Sequence, residues 1–397
     1  MSKVSRGNLS DLRGVVRLAV DGTVGVTNIV ERMHRTIQLT PAPLGKSNTG
    51  TTGGLTGFVY RSIRATTRLV GKGLDAGMAP FTTLLPEDSS TAARDAFVSV
   101  INGLHGDHLV RTDNPLAINM GFWHKGQQLD WQTPDAKPGI PQGAAINAKA
   151  MTGKILLFVH GLCLNDNHWT CDGHNHGEVL AGDLGYTPLY LRYNTGLSIA
   201  ENGRKLSAIL QRLLGDWPQP VTDLSIVGHS MGGLVARSAC HQARIAGHDW
   251  LQLLHKMVFM GSPHHGAPLE RGGERLEYVM DLSPYAAPFT RIGKIRSVGI
   301  TNLRYGSITA RDRESVPLPK GVQCYAIAAT LGTKQNRISE RLVGDGLVPL
   351  DSALGQHKDP KRTLDIPESH QWIGYDMGHI ELLGRPEPYA QLRGWLK

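Results

Sequence analysis

Apolar positions recur along this chain in two rhythms. From residue 154 onward, short apolar runs bounded by Gly, Pro and charged residues alternate with longer stretches of helical period. The runs predict strands at 154–159, 188–193, 223–227, 256–260, 322–328 and near 371–375. The periodic stretches predict helices at about 198–214, 231–246 and 386–396. Such alternation builds a mostly parallel, doubly wound α/β sheet. An antiparallel hairpin is expected ahead of it, from 114–122 and 128–131. Between about 264 and 320 the rhythm breaks into mixed Pro, Gly, aromatic and charged residues, the pattern of a lid or cap inserted after a central strand.

The first 111 residues read differently. Val26, Ile29, Val30, Met33 and Ile37 fall at helical spacing until Pro41 and Pro43 stop them. A Gly/Ser/Thr-rich stretch over 44–56 reads as a linker. A second helix follows, with Val59, Ile63, Thr66, Val70 and Leu74 on one face and Arg61, Arg64, Arg68 and Lys72 opposite. A third is expected at about 90–105. This organisation gives an N-terminal helical region, 1–111, and an α/β domain, 112–397.

Charge sharpens that division. The chain of 397 residues carries a formal net charge of +8. Residues 1–72 hold 11 Lys/Arg and 3 Asp/Glu, so the remaining 31 basic and 31 acidic residues cancel. The basic stripe invites an anionic membrane surface as partner, with a plain solvated face as the alternative. Nucleic acid is not expected, for the stripe has no interleaved aromatics. The longest apolar run is far too short to span a membrane. The N-terminus lacks the apolar core of a secretory signal, and four cysteines in so long a chain make no disulfide scaffold. The expected location is cytoplasmic, with contact at the inner face of the membrane left open.

The candidate chemistry centres on Gly228-His-Ser-Met-Gly232, which joins a predicted buried strand to a predicted helix. G-x-S-x-G in that context makes a sharp turn that exposes its serine above the sheet, and Ser230 is the candidate nucleophile. A serine hydroxyl needs a base within reach, and the base needs a carboxylate to fix its tautomer. Asp345, in a Gly-flanked loop after strand 322–328, is the candidate acid; Asp351, Asp312 and Asp281 are alternatives. His379, in the last loop before the final helix, is the candidate base, ahead of His370 and His357. An oxyanion hole needs two backbone N–H donors. Met231, after the nucleophile, supplies one; Leu162, in His160-Gly-Leu-Cys-Leu-Asn165, supplies the other. His160, Gly161, Trp169, His229 and His264 are candidate substrate-binding residues.

Taken together, these segments resemble the α/β-hydrolase superfamily, in its lipase and carboxylesterase branch. The matching stretches are Phe158-Val-His-Gly-Leu162, Gly228-His-Ser-Met-Gly-Gly233, Gly261-Ser-Pro-His-His-Gly266, Gly344-Asp-Gly-Leu-Val-Pro349 and Gly378-His379. They are similar to bacterial lipases and to hydrolases related to inositol-lipid deacylases. The resemblance spans roughly 116–397. It implies a Ser-Asp-His triad that cleaves a small-molecule or lipid carboxylic ester through an acyl-enzyme, with no cofactor. An acyltransferase with the same triad, or a non-catalytic membrane-associated binding protein on this fold, are the other readings. Epoxide hydrolases and dehalogenases use an Asp where this chain has Ser230. The cluster Cys163, His168, Cys171, His174 and His176 has spacing that could hold zinc, but serine chemistry needs no metal, and none is expected.

Overall fold

A computed structural model describes residues 13–14, 16–22, 24, 64–69, 72, 92–129, 151–267, 297–311, 314–333 and 344–397. The backbone falls into two units: Met1–Thr91 with Leu109–Ala117, and Ala92–His108 with Ile118–Lys397.

Among the described residues, the second unit is built on an eight-stranded sheet. Its strands are β1 (Gly121–His124), β2 (Gln127–Gln128), β3 (Lys154–Val159), β6 (Thr187–Arg192), β7 (Asp223–His229), β8 (Leu254–Met260), β9 (Gln323–Thr330) and β10 (Gln371–Tyr375). A separate two-stranded ribbon holds β4 (Thr170–Cys171) and β5 (His174–Asn175). The order across the main sheet is β10-β9-β8-β7-β3-β6-β1-β2. From β10 to β6 all pairs are parallel, and β1 and β2 add an antiparallel hairpin at one edge.

Strands buried on both faces need apolar side chains in both directions. In β3, Ile155, Leu157 and Val159 enter one core layer, while Leu156 and Phe158 enter the other. The first layer is closed by α3 (Ile199–Gly215) and α4 (Met231–Ala246). On α3, Ile199, Asn202, Leu206, Leu210 and Leu213 are buried at three- and four-residue spacing, and Ser198 caps its start by accepting from the Glu201 amide. The second layer is closed by α2 (His176–Leu184) and α8 (Pro386–Leu396) through Leu180, Leu392 and Leu396. The remaining helices of this unit include α1 (Ala92–Arg111, in this unit as far as His108), α5 (Trp250–Leu253), α6 (Val298–Tyr305) and α7 (Leu350–Ala353).

The chain leaves β3 to form β6 on one side, then crosses to form β7 on the other. Outgoing connections that diverge from two adjacent strands open a crevice at their carboxyl ends. The loop after β3 and the turn after β7 both emerge there.

In the first unit, helical residues run over 16–22 and 64–69. Arg17 Nη1 donates to the Asp113 carbonyl (2.7 Å) and Asn114 Nδ2 to that of Gly14 (3.0 Å). Arg68 and Lys72 are exposed as expected of the basic stripe. Thr66, assigned to the apolar face, is exposed too, and Leu69 is 72% exposed. Arg61, Val59, Ile63, Val70 and Leu74 lie outside the described residues, as do 268–296 of the expected cap. No described helix is long and apolar enough to cross a membrane.

Burial makes acid stability a testable property of this fold. It pushes the imidazoles of His160 and His176 down to about 3 and about 4, so both are neutral in the native state. In the unfolded chain they take up protons near pH 6.5. Stability is therefore full above about pH 7 and falls as pH drops from 6.5 through the native values. At pH 5 the loss is about 2 kcal/mol for each such histidine. Urea unfolding at pH 7.5 and 5.0 measures it, and equal midpoints would contradict the burial of these rings as neutral groups.

Candidate active site

Ser230 stands at the end of β7 with φ 54 and ψ −124, a conformation rarely adopted by a residue with a β-carbon. Its amide donates to the Met260 carbonyl of the neighbouring strand (2.8 Å), which pins the turn. Helix α4 starts at once. The turn is this tight because Gly232 lies against β3: a β-carbon there would sit 2.0 Å from the Val159 carbonyl oxygen. Strain of this kind persists only where the surroundings over-determine it. A serine on a strained strand-to-helix elbow, at the carboxyl edge of a mostly parallel sheet, decides the architecture. The fold is that of an α/β hydrolase.

Asp345 and His379 come from the loops after β9 and β10. They meet through His379 Nδ1 and Asp345 Oδ2 at 2.6 Å, both side chains almost wholly buried. The other carboxylate oxygen accepts from the Leu347 (3.0 Å) and Val348 (2.8 Å) amides, so it is fully employed. The His379 backbone is held as well. Its N–H donates to the Asp345 carbonyl (3.2 Å), and its carbonyl accepts from His229 Nε2 (3.1 Å). Burial and the neighbouring His379 hold His229 well below its ordinary value, so it serves as a neutral donor. With Nδ1 of His379 donating to the carboxylate, Nε2 is the basic atom. Ser230 and His379 line one cavity of about 380 Å³, mouth included. Among the described residues, no hydrogen bond joins them across it, and such contacts often tighten only with substrate bound. Leu162 also lines the cavity. Its amide and that of Met231, at the helix start, have no acceptor among the described residues.

A family model described as Domain of unknown function (DUF7379) matches residues 123–292. No curated protein matches the chain. Among solved structures, the chain is similar to the mature lipase BlEst2 of Bacillus licheniformis, at 17% identity and a TM-score of 0.41, over 62% of this chain and 92% of that one. It is also similar to the esterase Pf2001 of Pyrococcus furiosus, at 14% identity and a TM-score of 0.37, over 62% and 83%. A third is a thermophilic esterase from Thermogutta terrifontis, at 15% identity and a TM-score of 0.38, over 62% and 90%.

The candidate substrate-binding residues divide. Gly161 and His229 line the cavity. His160, Trp169 and His264 are not among its lining residues, and each is buried. His160 stacks on Tyr193 (4.5 Å between centroids), and its Nδ1 meets the Gly161 carbonyl oxygen at 2.9 Å. Trp169 packs edge-on against Phe158 (4.8 Å). His264 packs edge-on against Phe259 (4.6 Å) and faces Arg237 Nη1 at 3.3 Å. Loop residues beside a motif look alike in sequence, and only the path of the backbone tells which ones turn inward.

The apolar walls, Leu164, Leu303, Leu347, Val348 and Ile380, were not singled out by sequence. Their signal was adjacency: four of the five lie within about three residues of a candidate group. Ala267 and Leu303, the latter on α6, are described residues of the expected cap segment that line the cavity. Of the alternative acids, Asp351 lies on α7 and its side chain is not the one on His379; Asp281 and Asp312 fall outside the described residues. The histidine cluster is spent on other contacts. His174 Nε2 donates to His176 Nδ1 (2.8 Å), and His176 Nε2 donates to the Leu382 carbonyl (2.9 Å). Among the described residues no set of three metal-ligating side chains converges.

Proposed function

We propose that the protein is a serine hydrolase that cleaves carboxylic esters. The observation that carries this reading is the buried His379–Asp345 pair, set against the same cavity as an elbow serine. His379 Nε2 takes the Ser230 proton as Oγ attacks the ester carbonyl. The carbonyl oxygen becomes an oxyanion, received by the Leu162 and Met231 amides. One such donor is typically worth about 3 kcal/mol of barrier. His379 then gives its proton to the leaving alcohol, and the acyl group stays on Ser230. Water, deprotonated by the same nitrogen, releases the acid and restores the serine. Asp345 keeps the ring in one tautomer and supports it while charged.

The lining supports an uncharged acyl group: around the hydroxyl and the two imidazoles the described walls are aliphatic. The test is covalent. An alkyl fluorophosphonate is expected to label native protein at Ser230, located by peptide mass spectrometry. Label elsewhere, or none, refutes the reading.

A further inference from the structure

The loop that carries the Leu162 amide is strained. Cys163, next in sequence, has φ +61, a left-handed conformation unusual for a residue with a side chain. The loop closes on itself through Leu164 N–H to the Gly161 carbonyl (3.3 Å). On one side the Cys163 amide donates to Thr195 Oγ1 (3.2 Å). On the other side lies helix α1.

One face of α1, at residues 95, 99, 102–103 and 106, has the three- and four-residue spacing of neighbours on a helix. Gly103 sits on Cys163 itself. A β-carbon at 103 would be 2.3 Å from Cys163 Sγ and 3.2 Å from its Cα and N. Ser99 Oγ accepts from Asn165 Nδ2 (3.0 Å) while donating to the Asp95 carbonyl (2.7 Å). Asp95 accepts from Asn167 Nδ2 (3.4 Å) and pairs with Arg192 (3.0 Å), which also pairs with Asp166. Three alternate residues after Leu162 are thus tied to one helix face. The same face holds the Thr195 side of the clamp: Gly106 leaves room for the Asn194 side chain, whose Nδ2 donates to the Gly106 carbonyl (3.1 Å).

We propose that α1 is a positioning element of the oxyanion hole, and that the missing side chain at Gly103 sets where the Leu162 amide stands. A glycine inside a helix costs about 1 kcal/mol relative to alanine, so its presence at 103 needs a local reason. Here that reason is van der Waals contact with a strained loop. Donors to an oxyanion act only when placed within a few tenths of an ångström of their target. A methyl group at 103 must displace Cys163 Sγ, and Cα and N of Cys163, 3.2 Å from its position, must give by a few tenths of an ångström, on the scale that matters to the Leu162 amide.

This inference rests on the ester-hydrolase reading. The test uses the full chain with Gly103→Ala, Ser99→Ala, and Gly103→Ala combined with Cys163→Ala. Each is measured by thermal midpoint, by kcat and KM on a short p-nitrophenyl ester, and by the affinity of an alkyl trifluoromethyl ketone. That ketone forms a tetrahedral adduct on the serine whose oxyanion occupies the hole. Gly103→Ala is expected to lower kcat about 10–100-fold with KM nearly unchanged, and to weaken the ketone by the same factor. Removing Cys163 Sγ in that background makes room for the methyl and recovers most of both losses. Ser99→Ala shows the same pattern at a smaller size, about threefold to tenfold. A folded Gly103→Ala protein with kcat and ketone affinity within twofold of native overturns the proposal. So does a loss that Cys163→Ala leaves unrepaired. Should Gly103→Ala fail to fold, Ser99→Ala decides on the same two readouts. A native protein that neither hydrolyses esters nor reacts with a fluorophosphonate would sink the functional reading first, and a native-like Gly103→Ala in an active enzyme would sink this one alone.

Discussion

Replacing Ser230 by Ala is expected to lower kcat on a short p-nitrophenyl ester by a factor on the order of 10⁵, with the fold intact. Without the hydroxyl there is no atom to carry the acyl group, and His379 is left with only water to activate. The residual rate would come from the Leu162 and Met231 donors and from binding. The substitution keeps the β-carbon and so keeps the strained backbone at φ 54. Thermal unfolding should therefore move little, which separates lost chemistry from lost structure. Turnover within tenfold of native would mean that the nucleophile is elsewhere.

The second large effect belongs to Asp345. Asp345→Asn preserves the shape and an oxygen to accept from the Leu347 and Val348 amides, 3.0 and 2.8 Å away. It replaces the atom facing His379 Nδ1, now at 2.6 Å, by an amide group that can donate. The imidazole would then carry its proton on the cavity-facing nitrogen and could not act as a base. A drop of about 10⁴-fold in kcat is expected, with KM changed little. A loss smaller than tenfold would show that the pair is structural, and that Asp345 serves only to fold its own turn.

Much of this architecture was legible in sequence where burial on both faces forces an apolar run. Strands 154–159 and 371–375 and helices 231–246 and 386–396 lie at the observed bounds. The misplacements are at ends where tertiary pairing overrides local preference. β7 continues through Gly228 and His229, poor strand formers, because Phe259 and Met260 of β8 pair with them. β8 begins at Leu254, two residues before the expected start, since α5 delivers the chain directly into it. The third helix runs to Arg111 rather than about 105. The pairing of Asp345 with His379 followed from chain order and loop context. The inward or outward direction of loop side chains did not, and of the candidate substrate-binding residues His160, Trp169 and His264 are not among those that line the cavity. The role proposed for α1 was hidden because the pattern predicts a helix there and nothing that ties it to the loop after β3. The two glycines three apart, Gly103 and Gly106, were the available signal.

Among the described residues, the sheet ends on its β2 side in a strand of two residues, Gln127 and Gln128, both exposed. Open rims of long strands invite another polypeptide to add itself by backbone pairing, and proteins blunt them in several ways. Here brevity does it. A visiting strand would find a bond or two and hydrated amide side chains. Growth of this sheet into a fibre or a shared inter-subunit sheet is therefore disfavoured from that side, and no proline or bulge is needed to prevent it.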